Sequence, residues 1–181
     1  MADACVAIDG DLVRRASAIR LLTCDVDGVL TDGRLYYTDE GTELKAFSVL
    51  DGVGLKRLAG IGVAIAWITG SVSPAVAHRA RVLGIAHVVQ GVEDKLAPWE
   101  ALRTALGVSA QACAHIGDDL PDIPLLARCG LAITVPHAPR HVLDVAHYVT
   151  RRDGGAGAVR DACDLILAAQ GAPERYAISG A

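Results

Sequence analysis

The stretch LLTCDVDGVLTDG, residues 21–33, places Asp25 and Asp27 where an apolar run ends and glycine begins. A short apolar run that stops at glycine is typical of a buried strand. A buried carboxylate is costly unless a partner or a metal compensates its charge. The stretch therefore predicts a buried strand with a charged site at its tip, and a compensating cation close to that site.

Short apolar runs alternate with helical segments along most of the chain. This alternation predicts an α/β fold with a mostly parallel sheet between helices. Strands are predicted at 19–26, 62–69, 86–90, 112–118, 131–135 and 146–150, and helices near 51–60, 73–83, 94–106, 120–128, 138–144 and 157–170. Ser73 and Asp94 are predicted to be helix N-caps, with Pro74 at the first helical position.

One segment interrupts the alternation directly after the paired aspartates. Residues 33–47 predict a β-hairpin around the turn signal TDEG. Its aromatic residues Tyr36, Tyr37 and Phe47 could cover a substrate, but a subunit interface is favoured because exposed aromatics on a hairpin usually find a partner. The intervals between the polar strand ends hold only this hairpin and single helices, so no cap domain is expected. We predict one domain over 1–181 with a loose tail over 171–181.

Composition narrows the class of protein. The chain has 181 residues, a net charge of −4 and a pI near 5.8, which argues against a general nucleic-acid binder. No apolar run approaches the roughly eighteen residues of a membrane helix, and residues 1–15 lack a secretory pattern, so a cytoplasmic protein is expected. The five scattered cysteines predict reduced thiols, and the six histidines lack metal-ligand spacing.

Polar residues gather at the carboxyl ends of three predicted strands, where open α/β sheets bind ligands. These residues are Asp25 and Asp27 after the first strand, Thr69, Gly70 and Ser71 after the second, and Asp118, Asp119 and Asp122 after the fourth, with Lys95 at the start of the helix that follows the third. Phosphoryl transfer through an aspartyl phosphate requires such a set.

Each position suggests a role in that chemistry. Asp25 is the candidate nucleophile, and Asp27 can protonate the leaving oxygen and later deprotonate water. Mg²⁺ would be held by oxygens of Asp25, Asp118 and the Asp27 carbonyl. The phosphate oxygens would be bound by the Thr69 hydroxyl, the Lys95 ammonium and backbone N–H groups such as that of Gly70.

Two further carboxylates are left open between several roles. Asp119 and Asp122 could each contact the metal directly, act through a water molecule, or cap a helix. The sequence alone does not separate these roles.

The motifs DVDGVLTDG, ITG, DK and GDDLPD resemble, in order, the four motifs of the haloacid dehalogenase-like phosphatases. Within that superfamily, the chain resembles the 3-deoxy-D-manno-octulosonate 8-phosphate phosphatases over about residues 15–171. The segments that carry this resemblance are ELKAFSVLDGVGLK, LGIAHVVQG, DKLAPWEAL and YVTRRDGGAGAVRDACDLILAAQG. The resemblance implies a capless Rossmann-like core. It implies a phosphatase activity that depends on Mg²⁺ and serves lipopolysaccharide precursor synthesis. It also implies a homotetramer whose subunits help to close one another's active sites.

Two departures from that family leave the substrate open. Many members carry Arg where this chain has Ser71, and some carry Arg where it has Ala156. An arginine that pairs with a carboxylate is not replaced neutrally, so a related substrate such as a nonulosonate 9-phosphate is an alternative. A phosphate-accepting receiver domain is disfavoured because Asp27 accompanies Asp25 and Lys95 precedes GDD. A non-catalytic scaffold of the same fold is disfavoured because both aspartates are present.

Overall fold

The core of the protein is one parallel sheet, seen in a computed structural model that describes residues 10–172. Its strands are β1 (Leu21–Cys24), β4 (Ala64–Ile68), β5 (His87–Val89), β6 (Cys113–Ile116), β7 (Leu131–Thr134) and β8 (Tyr148–Val149). They lie in the order β5-β4-β1-β6-β7-β8, and every neighbouring pair is parallel. The predicted α/β class is confirmed.

The helices that flank the sheet are α1 (Gly10–Ser17), α2 (Val49–Gly60), α3 (Pro74–Leu83), α4 (Leu96–Ala105), α5 (Ile123–Leu126), α6 (Arg140–Leu143) and α7 (Ala158–Ala169). Helices α1, α2 and α7 pack together, and α4 packs on α5. Helix α1 was missed by sequence analysis because it is short and polar, with Ala16 its one buried residue. No helix within 10–172 is both long enough and apolar enough to cross a bilayer.

Of three predicted helix details, two differ in the structure, and the N-cap position of Ser73 before Pro74 is confirmed. The helix expected over 120–128 is a 3₁₀ turn, Leu120–Asp122, followed by the short α5, and the second residue of each is a proline, which lacks an N–H donor. Ser73 is the N-cap residue of α3, but its side chain makes no capping bond. Asp94 is not the N-cap of α4, since Lys95 holds that position, although Asp94 Oδ1 accepts the Leu96 N–H at 2.9 Å.

The central strand β1 is buried along its whole length and pairs with β4 on one side and β6 on the other. Aliphatic side chains and two tryptophans, Trp67 and Trp99, fill the core around it. The cysteines within 10–172 are free and buried, as expected for reduced thiols. This arrangement brings the carboxyl ends of β4, β1 and β6 side by side.

The predicted hairpin forms between β2 (Tyr36–Tyr37) and β3 (Glu43–Leu44), which are antiparallel. Tyr36 and Tyr37 are exposed, with 60% of Tyr37 accessible. Phe47 does not share that surface: its ring stacks on Trp67 with centroids 6.2 Å apart and packs against the core. The expectation that Phe47 is an interface aromatic is therefore wrong, because the chain turns inward before α2.

Candidate active site

A buried lysine links two carboxylates beyond the end of β1. Lys95 Nζ lies 2.8 Å from Asp25 Oδ1 and 2.8 Å from Asp122 Oδ1, and no more than 9% of any of these side chains is exposed. Asp25 follows β1, Asp122 ends the 3₁₀ turn after β6, and Lys95 precedes α4. Three separate parts of the chain thus meet in one buried ion-pair cluster, in which each charge has a partner.

Asp122 is bound to the protein through both carboxylate oxygens. Its Oδ1 lies 2.9 Å from His115 Nε2 as well as 2.8 Å from Lys95 Nζ. Its Oδ2 accepts the N–H groups of Asp118 and Asp119 at 3.3 and 3.5 Å. With its lone pairs occupied in this way, Asp122 serves to orient Lys95 and the loop after β6.

His115 extends this chain of contacts into the sheet. The residue is completely buried in β6, and its Nδ1 lies 2.8 Å from Thr23 Oγ1 on β1. Sequence analysis treated His115 as one of six isolated histidines, and it does serve a structural contact. The sequence gives no sign that this contact reaches Asp122, because the two residues meet only when the turn folds back on the strand.

Asp25, Asp118 and Asp122 form an acidic cluster with carboxylate oxygens within 4.8 Å of one another. Burial and the charge of Asp122 raise the pKa of Asp25 to about 6. Burial and the charges of Asp25 and Asp122 raise the pKa of Asp118 to about 8. Burial also acts to raise the pKa of Asp122, but His115 and Lys95 outweigh it and lower the pKa to about 2.

The cluster has the composition of a site for a hard divalent cation. Three carboxyl groups share one ammonium, so their number exceeds that of the cationic partners at this place. All available donors are oxygens, which suits Mg²⁺ better than a softer transition metal. Because both oxygens of Asp122 are already bound, Asp25 and Asp118 are the side chains free to hold an ion.

Gly28 allows Asp118 to approach the loop after β1. Its φ of +87° lies in the left-handed region, and a Cβ at this position would be 2.0 Å from Asp118 Oδ2. The loop RRDGGAG, residues 151–157, packs on the same turn, since a Cβ on Gly154 would be 1.8 Å from the Gly28 carbonyl oxygen. Glycine at both positions lets the backbones meet beside the carboxylates.

The end of β4 completes the inner side of the site. Thr69 is buried, and its Oγ1 accepts the Ser71 N–H at 3.2 Å. Gly70 follows it and is exposed.

Asp119 caps the 3₁₀ turn after β6. Its Oδ1 accepts the Leu120 N–H at 2.8 Å, and it forms a reciprocal capping box with Asp122.

Asp27 lies further out and is held by Ser71 and by Lys45, of which only Ser71 was placed at the site from the sequence. Lys45 Nζ, next to β3, lies 2.5 Å from Asp27 Oδ1, and Ser71 Oγ donates to Asp27 Oδ2 at 2.9 Å. Lys45 Nζ also lies 2.7 Å from Glu43 Oε1, with which it forms a second ion pair. Burial disfavours the Lys45 ammonium, but its bonds to Asp27 and Glu43 outweigh this and raise its pKa.

Known proteins resemble this chain closely. The haloacid dehalogenase-like hydrolase family matches residues 83–160. The 3-deoxy-D-manno-octulosonate 8-phosphate phosphatase of Yersinia pestis is 48% identical over 160 residues, covering 88% of this chain and 86% of that protein. The same-named phosphatase of Escherichia coli K12 is 43% identical over 164 residues, covering 91% and 87%.

Comparison with a solved structure shows that the similarity extends to the fold. It is the crystal structure of the 3-deoxy-D-manno-octulosonate 8-phosphate phosphatase of Moraxella catarrhalis in complex with a magnesium ion, a phosphate ion and KDO. That structure is 44% identical, has a TM-score of 0.88 and covers 91% of this chain and 94% of its own. The chain therefore belongs to the 3-deoxy-D-manno-octulosonate 8-phosphate phosphatases, a family of haloacid dehalogenase-like hydrolases.

Proposed function

We propose that this protein hydrolyses 3-deoxy-D-manno-octulosonate 8-phosphate to the sugar acid and inorganic phosphate, with Mg²⁺ as cofactor. The observation that carries the proposal is the buried Asp25–Lys95–Asp122 cluster with Asp118 beside it. It provides a carboxylate at a strand tip, a cation for phosphate and an acidic pair for a metal. The relative from Moraxella catarrhalis binds magnesium, phosphate and the sugar acid.

In the proposed first step, an oxygen of Asp25 attacks phosphorus and the bond to the sugar oxygen breaks. Asp27 gives its proton to that leaving oxygen. In the second step, Asp27 takes a proton from water, the water oxygen attacks phosphorus, and the bond to Asp25 breaks. Inorganic phosphate leaves, and Asp27 is again protonated for the next substrate. The greater exposure of Asp27, at 32%, suits a group that meets both substrate and water.

The remaining residues would hold the charged groups. Asp25 and Asp118 side chains, with the Asp27 backbone carbonyl, would hold Mg²⁺, which would offset the negative charge of nucleophile and phosphate. Lys95, the Thr69 hydroxyl and the Gly70 N–H would bind phosphate oxygens. Asp122 would fix Lys95, and Asp119 would fix the turn that carries Asp118.

A second candidate substrate is supported by Ser71 and Ala156. Neither position supplies a cation for a sugar carboxylate, and the Ser71 hydroxyl is already bonded to Asp27. A related sugar phosphate, such as a nonulosonate 9-phosphate, remains the alternative substrate for this reason. The reaction and the roles of the aspartates would be the same.

We also propose a cytoplasmic homotetramer with one domain in each chain. Leu35, Tyr36, Tyr37 and Leu44 expose apolar surface on and beside the hairpin, between 40 and 66% of each residue. A monomer would leave this surface in water. A neighbouring subunit on it would wall in a site that no cap domain covers within residues 10–172, and the net charge of −4 gives no support to a nucleic-acid partner.

The test is a screen of sugar phosphates with release of inorganic phosphate as the readout. Wild type and Ser71→Arg are compared with and without Mg²⁺, and Asp25→Asn supplies the background. We expect the eight-carbon sugar acid phosphate to give the highest kcat/KM, and chelation to abolish turnover. Preference for a nonulosonate 9-phosphate would establish the alternative, and equal rates in Asp25→Asn would contradict the mechanism.

A further inference from the structure

We infer that Lys45 is a positioning residue which, together with Ser71, holds the Asp27 carboxylate in place for proton transfer. The inference rests on the proposed acid–base role of Asp27. It gives the hairpin a part in the chemistry that acts through Asp27, in addition to any part in assembly.

The geometry restrains Asp27 from two sides. Lys45 binds Oδ1 from the end of the hairpin, and Ser71 binds Oδ2 from the loop after β4. A carboxylate with each oxygen bonded to a different element cannot rotate without breaking one of the two bonds. Proton transfer needs the acid within hydrogen-bond reach of the leaving oxygen, and small misplacements are costly.

Lys45 itself is fixed where it can perform this function. Its side chain is 3% exposed, and its ammonium lies 2.7 Å from Glu43 Oε1 as well as 2.5 Å from Asp27 Oδ1. A buried ammonium without partners would be unfavourable. The pair of carboxylates therefore keeps Lys45 charged and in one position, and Lys45 keeps Asp27 in one position.

A positioning role differs from a merely structural ion pair in its dependence on the leaving group. An alkyl phosphate needs its leaving oxygen protonated, whereas a nitrophenyl phosphate has a leaving group that departs without help. A misplaced Asp27 should therefore slow the first step for the alkyl substrate much more than for the aryl one. With the aryl substrate, the second step still needs Asp27 as a base, so the phosphoenzyme should accumulate.

The experiment compares Lys45→Met, Lys45→Arg and Ser71→Ala with wild type on both substrates. Lys45→Met should lower kcat/KM about 10- to 100-fold for the alkyl phosphate and only about threefold for the aryl phosphate. Acid-quenched samples of this variant with the aryl substrate should contain more phosphoenzyme than wild type. Lys45→Arg should recover part of the loss, and Ser71→Ala should show a smaller effect in the same direction.

Two controls separate the possible failures. Lys56→Met removes an exposed lysine of α2 and should leave both rates unchanged. Asp27→Asn should show a stronger leaving-group dependence than Lys45→Met; if it shows none, the acid–base role of Asp27 is wrong. If Asp27→Asn shows it but Lys45→Met slows both substrates equally, Lys45 is structural and the inference is wrong. Should Lys45→Met fail to fold in thermal melts, Lys45→Arg and Ser71→Ala decide the question by the same comparison of the losses in kcat/KM for the alkyl and the aryl phosphate.

Discussion

The active site has two halves that are built differently. The inner half comprises Asp25, Lys95, Asp122 and His115, all almost completely buried. The outer half comprises Asp27, Lys45, Glu43 and Ser71, around a carboxylate that is one-third exposed. The inner half is held by the parallel register of β1 and β6 and the turn after β6. The outer half depends on a hairpin whose strands are two residues long.

The two halves also differ in how closely their positive and negative charges balance. In the inner half one ammonium faces three carboxyl groups once Asp118 is counted, so a metal ion would offset the excess negative charge and, with Lys95, attract a phosphate. In the outer half Lys45 lies between Asp27 and Glu43, and the charges are nearer to balance. We therefore expect the inner half to govern phosphate and metal binding, and the outer half to govern proton transfer and substrate choice.

The largest effect is expected from Asp25→Asn in the inner half. Removing the nucleophile should lower kcat by several powers of ten, because Asp25 is the carboxylate that directly follows β1 and pairs with Lys95. The fold should persist, since the amide is nearly the same size. Phosphate release and a thermal melt measure the two properties, and activity within tenfold of wild type would contradict the assignment.

A smaller loss is expected from Asp122→Asn, which weakens the inner half without removing a reacting group. Lys95 would lose one of its two carboxylate partners, so inorganic phosphate should inhibit less well and kcat/KM should fall about 10- to 100-fold. The matched control is Asp144→Asn, an exposed aspartate paired with Arg140 on α6. An unchanged inhibition constant for phosphate in Asp122→Asn would show that Lys95 does not need Asp122.

The hairpin prediction concerns the outer half and assembly together. Tyr36→Asp with Tyr37→Asp should give smaller species in light scattering, because charge replaces exposed aromatic surface. We expect kcat/KM for the sugar phosphate to fall about tenfold, and less for a small aryl phosphate, since binding to the distal part of the sugar is lost. Phe47 is unsuitable for this test because it stacks on Trp67.

Val82→Asp on α3 is the control for adding a charge at an exposed apolar position, since Val82 is 52% exposed. This variant should keep the wild-type size and kinetics. A soluble monomeric hairpin variant with unchanged sugar-phosphate kinetics would contradict the proposal that neighbouring subunits complete the site.

The two halves also differ in how far the sequence predicts them. Asp25, Thr69 and Asp118 follow apolar runs, and parallel strands bring such ends together whatever the details of packing. The contact of Lys45 with Asp27 depends on how the hairpin folds back over the sheet, which local pattern does not determine. The link between His115 and Asp122 is not predictable for the same reason: it arises from the turn after β6, in which two prolines also divide the predicted helix.

Asp51 separates burial from carboxylate crowding as causes of a raised pKa. Asp51 on α2 is 2% exposed, and its Oδ1 accepts the Arg160 N–H at the start of α7 at 2.7 Å. Its Oδ2 is buried without a hydrogen-bond partner in the described part of the chain. Burial raises the pKa of Asp51 to about 6, a value like that of Asp25, although Asp51 lies outside the acidic cluster.

This raised pKa has a definite sign in a stability measurement. The folded protein holds the Asp51 proton more tightly than the unfolded chain, so the stabilising contribution is complete below about pH 4 and is lost as the pH rises through about 6. Asp51→Asn keeps an acceptor for the Arg160 N–H and cannot ionise. The difference in free energy of unfolding between Asp51→Asn and wild type should therefore change in favour of Asp51→Asn from pH 4 to pH 7, by on the order of 1 to 3 kcal/mol. Urea titrations across this range measure the difference, with Asp144→Asn as the control for loss of one surface charge. If the curves for Asp51→Asn and wild type run parallel, Asp51 does not titrate in this range, and burial alone is not sufficient to raise a carboxyl pKa in this fold.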